Sequence, residues 1–217
     1  MNQYCGRFIT FEGGEGVGKS TNIRFVAEWL QQQGVDVLVT REPGGTDIAE
    51  TIRNQLLKAH HQETMSDMTE LLLVFAARAQ HLEALIKPAL AQGQWVLCDR
   101  FTDSTIAYQG FGRGLSLELI QQLKTLVQQQ LEPDCTFWLD APVSVGMARA
   151  RGRAATAGEA IDRFETEQQA FFERVYRGFA QLAASESRFR RIDASVSLDQ
   201  VQSALLAALT PLLPELS

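Results

Sequence analysis

Short runs of apolar, β-branched and aromatic residues alternate along this chain with longer stretches whose apolar positions recur every three or four residues. The first run, Arg7-Phe8-Ile9-Thr10-Phe11, breaks into a glycine-rich loop. From Lys19 onward Ile23, Val26, Ala27 and Leu30 follow at helical spacing until Gly34 stops them. The pattern predicts a buried-type strand over 35–40, a helix over 48–59 and a long helix over 67–90. The apolar face of that last helix carries Leu71, Leu72, Val74, Phe75, Leu82, Leu85 and Ile86. Residues 94–100 read as a third strand ending in Asp99 and Arg100, 101–114 as a turn-rich polar segment, and 115–131 as a helix. Strands at 135–140 and 189–193 and helices from 143, over 165–184 and over 198–213 complete the chain. Five strands alternating with helices predict an α/β fold, a doubly wound parallel sheet with helices on both faces. All 217 residues fit one domain.

Composition leaves that picture intact and removes several functions. Hydrophobic residues make up 45% and charged residues 21%, the balance of an ordinary soluble globule. A net charge of −6 offers no basic surface to release counterions, so no nucleic acid is expected as partner. No apolar stretch approaches membrane-spanning length, and the N-terminus lacks a signal-peptide pattern, so no membrane role is expected. The three cysteines, Cys5, Cys98 and Cys135, show no C-x-x-C spacing; Cys98 and Cys135 lie in apolar runs, which suits a reducing, cytoplasmic setting. Adjacent His60 and His61 share no helical face and His81 stands alone. All three are expected at the surface rather than on a metal.

Candidate chemistry collects at the C-terminal ends of the expected strands. Gly13-Gly14-Glu15-Gly16-Val17-Gly18-Lys19-Ser20-Thr21 fits G-x-x-x-x-G-K-[ST], a loop whose amides curl around phosphate oxygens at the positive end of the following helix. Lys19 adds a cation near the β and γ phosphates, and Ser20 a hydroxyl for Mg²⁺. Asp99, an acid ending an apolar strand behind such a loop, is a second candidate metal ligand. Arg41 follows the second strand and Arg100 the third, each in position for an anion. Arg78 follows Phe75 by one helical turn, a pairing that suits a stacked, hydrogen-bonded base. Ser104, Thr105, Tyr108, Gln109 and Arg113 bring hydroxyl, amide, aromatic and cationic groups to the same region. The segment 149–163 is rich in arginine and small residues, and is expected to be a mobile lid. No N-K-x-D stretch for a guanine switch occurs. A kinase for a small acceptor fits best; another nucleoside monophosphate kinase or a P-loop regulatory ATPase is the alternative.

Taken in order, the loop 13–21, Thr40-Arg41-Glu42-Pro43-Gly44-Gly45-Thr46, Phe75-Ala76-Ala77-Arg78, Asp99-Arg100-Phe101 with Ser104, Tyr108-Gln109-Gly110 and Asp162-Arg163-Phe164-Glu165 resemble the bacterial thymidylate kinase family from end to end. The resemblance implies the P-loop NTPase fold with a five-stranded core and a short lid. It also implies Mg²⁺- and ATP-dependent phosphorylation of dTMP to dTDP, and a homodimer. Carried to matching positions, Lys19 and the loop Gly13, Gly14, Glu15, Gly16, Val17, Gly18, Ser20 and Thr21 bind ATP, with Ser20 and Asp99 on the metal. Glu15 takes the sugar 3′-hydroxyl, and Arg41 and Arg100 grip the dTMP phosphate. Arg78, Thr105 and Gln109 surround the thymine edge, and Tyr108 crowds the 2′ position. The stacking phenylalanine of the family falls at Phe75, with Val74 in its usual place, and Phe101 replaces the usual Tyr. The loop 193–196 resembles the adenine-side loop. Val17 in the loop implies a catalytic arginine from the lid, one of Arg149, Arg151, Arg153 and Arg163.

Overall fold

The computed structural model describes residues 5–59, 61–157 and 167–213, with 153–157 described by backbone alone. Five parallel strands form its sheet: β1 (Phe8–Glu12), β2 (Val37–Arg41), β3 (Trp95–Asp99), β4 (Cys135–Asp140) and β5 (Phe189–Asp193). Their order is β2-β3-β1-β4-β5, so β1 is central and the chain reverses direction across it. Around the sheet run α1 (Lys19–Gln32), α2 (Asp47–Thr51), α3 (Asp67–His81), α4 (Lys87–Ala91), α5 (Thr102–Thr105), α6 (Leu117–Gln128), α7 (Val143–Ala157), α8 (Gln169–Ser185) and α9 (Leu198–Leu209). Wider, π-type turns prolong α2 over Ile52–Leu57, join α3 to α4 over Leu82–Ile86, and prolong α5 over Ile106–Gly112.

Alternation along the strands assigns each side chain to a face. Ile9, Phe11, Leu97, Phe137 and Leu139 pack with Ile23, Val26 and Leu30 of α1 and Val201, Leu205 and Leu209 of α9. On the opposite face Phe8, Val96 and Cys98 meet Leu82, Ile86 and Leu90, while Trp138 meets Phe171, Phe172, Val175 and Phe179 of α8. Each of these buried side chains contributes roughly 1.5–3 kcal/mol. Polar groups on that second face are paired: Thr10 and Thr136 share a hydrogen bond of 2.8 Å, and Arg188 reaches Asp103 with two bonds of 2.7 Å. Among the described residues no helix is long and apolar enough to cross a membrane.

Several expectations change. The strand expected over 35–40 is shifted to Val37–Arg41 and is a partly exposed edge with Val39 half-exposed, because only one flank finds a neighbour. The polar segment 101–114 is helical: its hydroxyl and amide side chains are satisfied by partners across the fold, so polarity there marks a site rather than solvent. The expected lid begins as helix, since α7 continues to Ala157 through alanine and arginine, both strong helix formers. The closing helix stops at Leu209, before a short 3₁₀ turn over Thr210–Leu212 that contains Pro211.

Helix starts separate scaffold from site. Thr46, Ser66 and Ser116 accept the N–H three residues on, and Ser197 forms a capping box with Gln200. At α1 the capping position is Gly18, with no side-chain cap and no acid in the first turn. The amides of that helix end are left for an anion.

Candidate active site

The loop after β1 is fixed by close backbone packing. Gly13 has φ +136°, and a Cβ there would stand 2.6 Å from the Leu139 carbonyl oxygen. Gly16 has φ +69°, and its Cβ would fall 2.0 Å from the carbonyl oxygen of Gly146 on α7. The first turn of α1 thus follows a loop pressed between β4 and α7. Lys19, buried, extends its ammonium back over the loop and donates to the carbonyls of Gly14 (2.8 Å) and Gly13 (3.3 Å). Burial, joined by the nearby charge of Arg100, lowers its proton affinity below that of an ordinary lysine. Ser20 Oγ lies 3.5 Å from Asp99 Oδ2, joining the loop to the end of β3.

Arg100 crosses from β3 to that loop. Its φ of +69° is unusual for a residue with a side chain. Glu12 holds the turn: its carboxylate accepts the Phe101 N–H at 2.7 Å and the Ser104 hydroxyl at 2.5 Å. The Arg100 guanidinium then donates to Gly13 O (2.9 Å), Ser104 Oγ (3.1 Å), Glu15 Oε1 (2.5 Å) and Tyr108 Oη (3.0 Å), and stacks 4.8 Å from the Tyr108 ring. Tyr108 also donates to Glu15 Oε1 at 3.0 Å. Burial works against the charge of Arg100, yet Tyr108, Glu15 and Asp99 outweigh it and hold the group above the usual arginine range. Burial likewise lifts the Tyr108 phenol well above its ordinary value.

A second arginine is sealed deeper. Arg78 is 2% exposed; its Nε donates to Glu42 at 2.7 Å and its Nη2 to Thr105 at 2.9 Å. Its guanidinium lies between the rings of Phe75 (4.9 Å) and Phe101 (5.1 Å). Phe75 therefore supports Arg78 from within the core, and Val74 rather than Phe75 lines the open space. Arg41 is half-exposed and bound to both oxygens of Glu50 at 2.9 Å. Glu50 is held below the usual carboxylate range because the Gly45 N–H and Arg41 overcome its partial burial.

These groups enclose a cavity of about 260 Å³ at the C-terminal ends of β1, β2 and β3. Its lining carries six cations, Lys19, Arg41, Arg53, Lys58, Arg78 and Arg100, against three acids, Glu15, Glu42 and Asp99. Gly16, Val17, Gly18, Ser20, Thr105, Tyr108 and Gln109 also line it. Gln109 is anchored by donating to the buried Glu70 at 2.8 Å. Arg149 instead donates to the Ala194 carbonyl at 2.8 Å, on the loop after β5, and Arg151 is exposed on α7. The side chains of Arg153 and Arg163 fall outside the described residues, as does His60. His61 is exposed, as expected.

His81 is not at the surface. It is fully buried, with Nδ1 3.0 Å from Glu42 and Nε2 2.7 Å from Thr40. Its place on the inward stripe of α3 with Glu70, Leu71, Val74, Ala77 and Arg78 was the available signal. Glu12, Glu42, Arg53 and Lys58 also line or support the site; Glu12 ends β1 and Glu42 follows β2, whereas Arg53 and Lys58 lie on the turns after α2, away from any motif. Among the described residues no group of three His, Cys, Asp or Glu side chains forms a metal cluster.

The glycine loop with Lys19 and Ser20 lines this cavity together with Arg41, Arg78, Arg100, Thr105 and Gln109. That arrangement on a sheet of this order belongs to the P-loop kinases that phosphorylate small acceptors. Comparison with known proteins narrows the class. The thymidylate kinase family profile matches residues 11–205. A thymidylate kinase of Teredinibacter turnerae is 56% identical over 205 residues, covering 94% of this chain and 97% of the relative. One of Alcanivorax borkumensis is 57% identical over 201 residues, covering 92% and 94%. The crystal structure of thymidylate kinase from Ehrlichia chaffeensis superposes with a TM-score of 0.74 at 37% identity, covering 94% of this chain and 98% of that one. The chain belongs to the thymidylate kinase family.

Proposed function

We propose that this cavity joins ATP to dTMP and that the γ-phosphoryl passes in line to the dTMP 5′-phosphate, giving dTDP. The observation that carries this reading is Arg100, which links the carbonyl of Gly13 in the phosphate loop to Glu15 and Tyr108 on the acceptor side. The amides of 13–20 and Lys19 hold the ATP phosphates. Arg41 and Arg100 take the dTMP phosphate, and Glu15 takes the sugar 3′-hydroxyl. Arg78, Thr105 and Gln109 read the thymine edge, over the support of Phe75. Charge building on the transferring group is met by Lys19, Arg100 and a lid arginine from among Arg149, Arg151, Arg153 and Arg163.

A hydroxyl and a carboxylate 3.5 Å apart, Ser20 and Asp99, fit Mg²⁺, which takes hard oxygen ligands, usually one or two from protein with phosphates and water. Held there, such an ion would supply positive charge against the ATP phosphates. A homodimer fits the apolar surface left by Met68 and Leu72 of α3 and Leu117 and Leu126 of α6. Cys98 and Cys135, buried as small apolar side chains, suit a reducing cytoplasm.

A coupled ADP-release assay across dTMP, dUMP, dCMP and AMP tests the reading. Turnover that depends on dTMP and on Mg²⁺ is expected. Hydrolysis without acceptor, or preference for AMP, overturns it.

A further inference from the structure

We infer that His81 is a positioning residue for base selection, acting through Glu42 to aim Arg78 into the cavity. The inference rests on the proposed reading that Arg78 meets the edge of the acceptor base. Arg78 has three nitrogens, and the protein holds two of them: Nε by Glu42 and Nη2 by Thr105. The third, Nη1, is buried, has no protein partner, and belongs to a side chain that lines the cavity. A guanidinium donates and never accepts. A base that presents a carbonyl oxygen satisfies Nη1, whereas one that presents an amino group leaves it buried and unpaired. Discrimination between thymine and cytosine therefore depends on how firmly that nitrogen is aimed.

The aim is set one layer back. Glu42 uses Oε2 for Arg78 and Oε1 for His81. A carboxylate only accepts, so the ring donates from Nδ1. In the neutral ring Nε2 is then the acceptor of the Thr40 hydroxyl. The four groups form a chain from β2 to α3 that fixes the carboxylate plane. A second observation is independent of these bonds. The loop that follows Arg41 passes directly over the ring: a Cβ on Gly45 would stand 2.4 Å from His81 Nε2 and 2.5 Å from Thr40 Oγ1. The imidazole is thus both the backstop for Glu42 and the floor beneath the loop. An aliphatic side chain of similar size fills the space but holds neither oxygen.

The test compares kcat/KM for dTMP and for dCMP, with the inhibition constant of dCMP against dTMP, in the unaltered enzyme and four variants. His81→Leu is expected to lower the dTMP/dCMP ratio about tenfold to a hundredfold, the worth of one misaimed buried hydrogen bond. His81→Asn, which keeps a donor near the position of Nδ1, is expected to restore the ratio to within about threefold of the unaltered enzyme. Thr40→Val, a milder change that serves if His81→Leu does not fold, is expected to lower the ratio in the same direction by a smaller factor. Arg78→Met is the control and is expected to abolish discrimination. A ratio left unchanged in His81→Leu, or in Thr40→Val should His81→Leu not fold, while Arg78→Met abolishes it, overturns the role of His81 alone. A ratio left unchanged in Arg78→Met overturns both that role and the reading beneath it. Equal losses of turnover with both substrates, uncorrected by His81→Asn, mark a merely structural histidine and also overturn the inference.

Discussion

Glu12→Gln replaces a fully buried carboxyl at the end of β1 with a neutral group of nearly the same shape. Burial, and then the negative charge of Asp103, lift its proton affinity from 4.5 to about 8, against the opposing pull of Ser104 and Arg100. In the unfolded chain the same carboxyl is exposed and ionises near 4.5. Between those two values the folded protein keeps a proton that the unfolded chain releases, so the native state binds more protons. Stability from this group is therefore full below 4.5 and is lost as pH rises through 8. At about 1.4 kcal/mol for each pH unit, the loss approaches about 5 kcal/mol. Glutamine has no such proton; with its Oε1 on the Phe101 N–H, its Nε2 meets Ser104 as a donor where Oε2 is an acceptor, a constant penalty of about 1 kcal/mol. Urea unfolding of both proteins at intervals from about pH 5 to about pH 9 isolates the effect, because titrations of groups distant from Glu12 cancel in the difference. The variant is expected to be slightly the weaker at the acid end and several kcal/mol the stronger at the alkaline end. A difference constant to within about 1 kcal/mol across the range refutes the assignment.

Three further outcomes follow from the geometry. Arg100→Ala removes the grip proposed for the dTMP phosphate, worth roughly 1.5–3 kcal/mol per bond, so kcat/KM for dTMP at fixed ATP is expected to fall about 10²–10⁴-fold; unaltered turnover contradicts the site. Gly16→Ala drives a methyl into the Gly146 carbonyl and forces the loop to move, so the KM for ATP is expected to rise at least about tenfold, read from ATP saturation at fixed dTMP. Arg188→Ala strands the buried Asp103 carboxylate and is expected to cost about 3–5 kcal/mol in urea unfolding, with KM for both substrates unchanged in the folded protein.

The hydropathy pattern carried the layers of this fold well, because buried parallel strands and amphipathic helices obey simple periods. It carried the phosphate loop better still, where glycine spacing is itself the geometry. What it misread were polar residues that face inward. His81 reads as a surface group because a lone histidine says nothing of its partners, and only the stripe shared with Arg78 points to its burial. The segment 101–114 reads as turns because its Thr, Ser and Gln side chains look solvated until Glu12, Gln128 and Glu70 are brought across from other elements. Glu12 itself reads as the end of a strand; its hold on the Arg100 turn joins residues 89 apart in sequence. Phe75 and Val74 show a finer limit: one helical position, about 100° of rotation, decides whether a ring faces the cavity or the core.

The central claim is that one cavity receives both nucleotides, with Arg100 at the junction. A crystal structure of the complete chain with dTMP and ADP tests it most directly. The account expects the dTMP phosphate within hydrogen-bonding distance of Arg41 and Arg100, its sugar beside Glu15 and Tyr108, and a thymine oxygen on Nη1 of Arg78. A thymidine monophosphate bound outside this cavity, or reversed so that its base lies against Arg100, contradicts it.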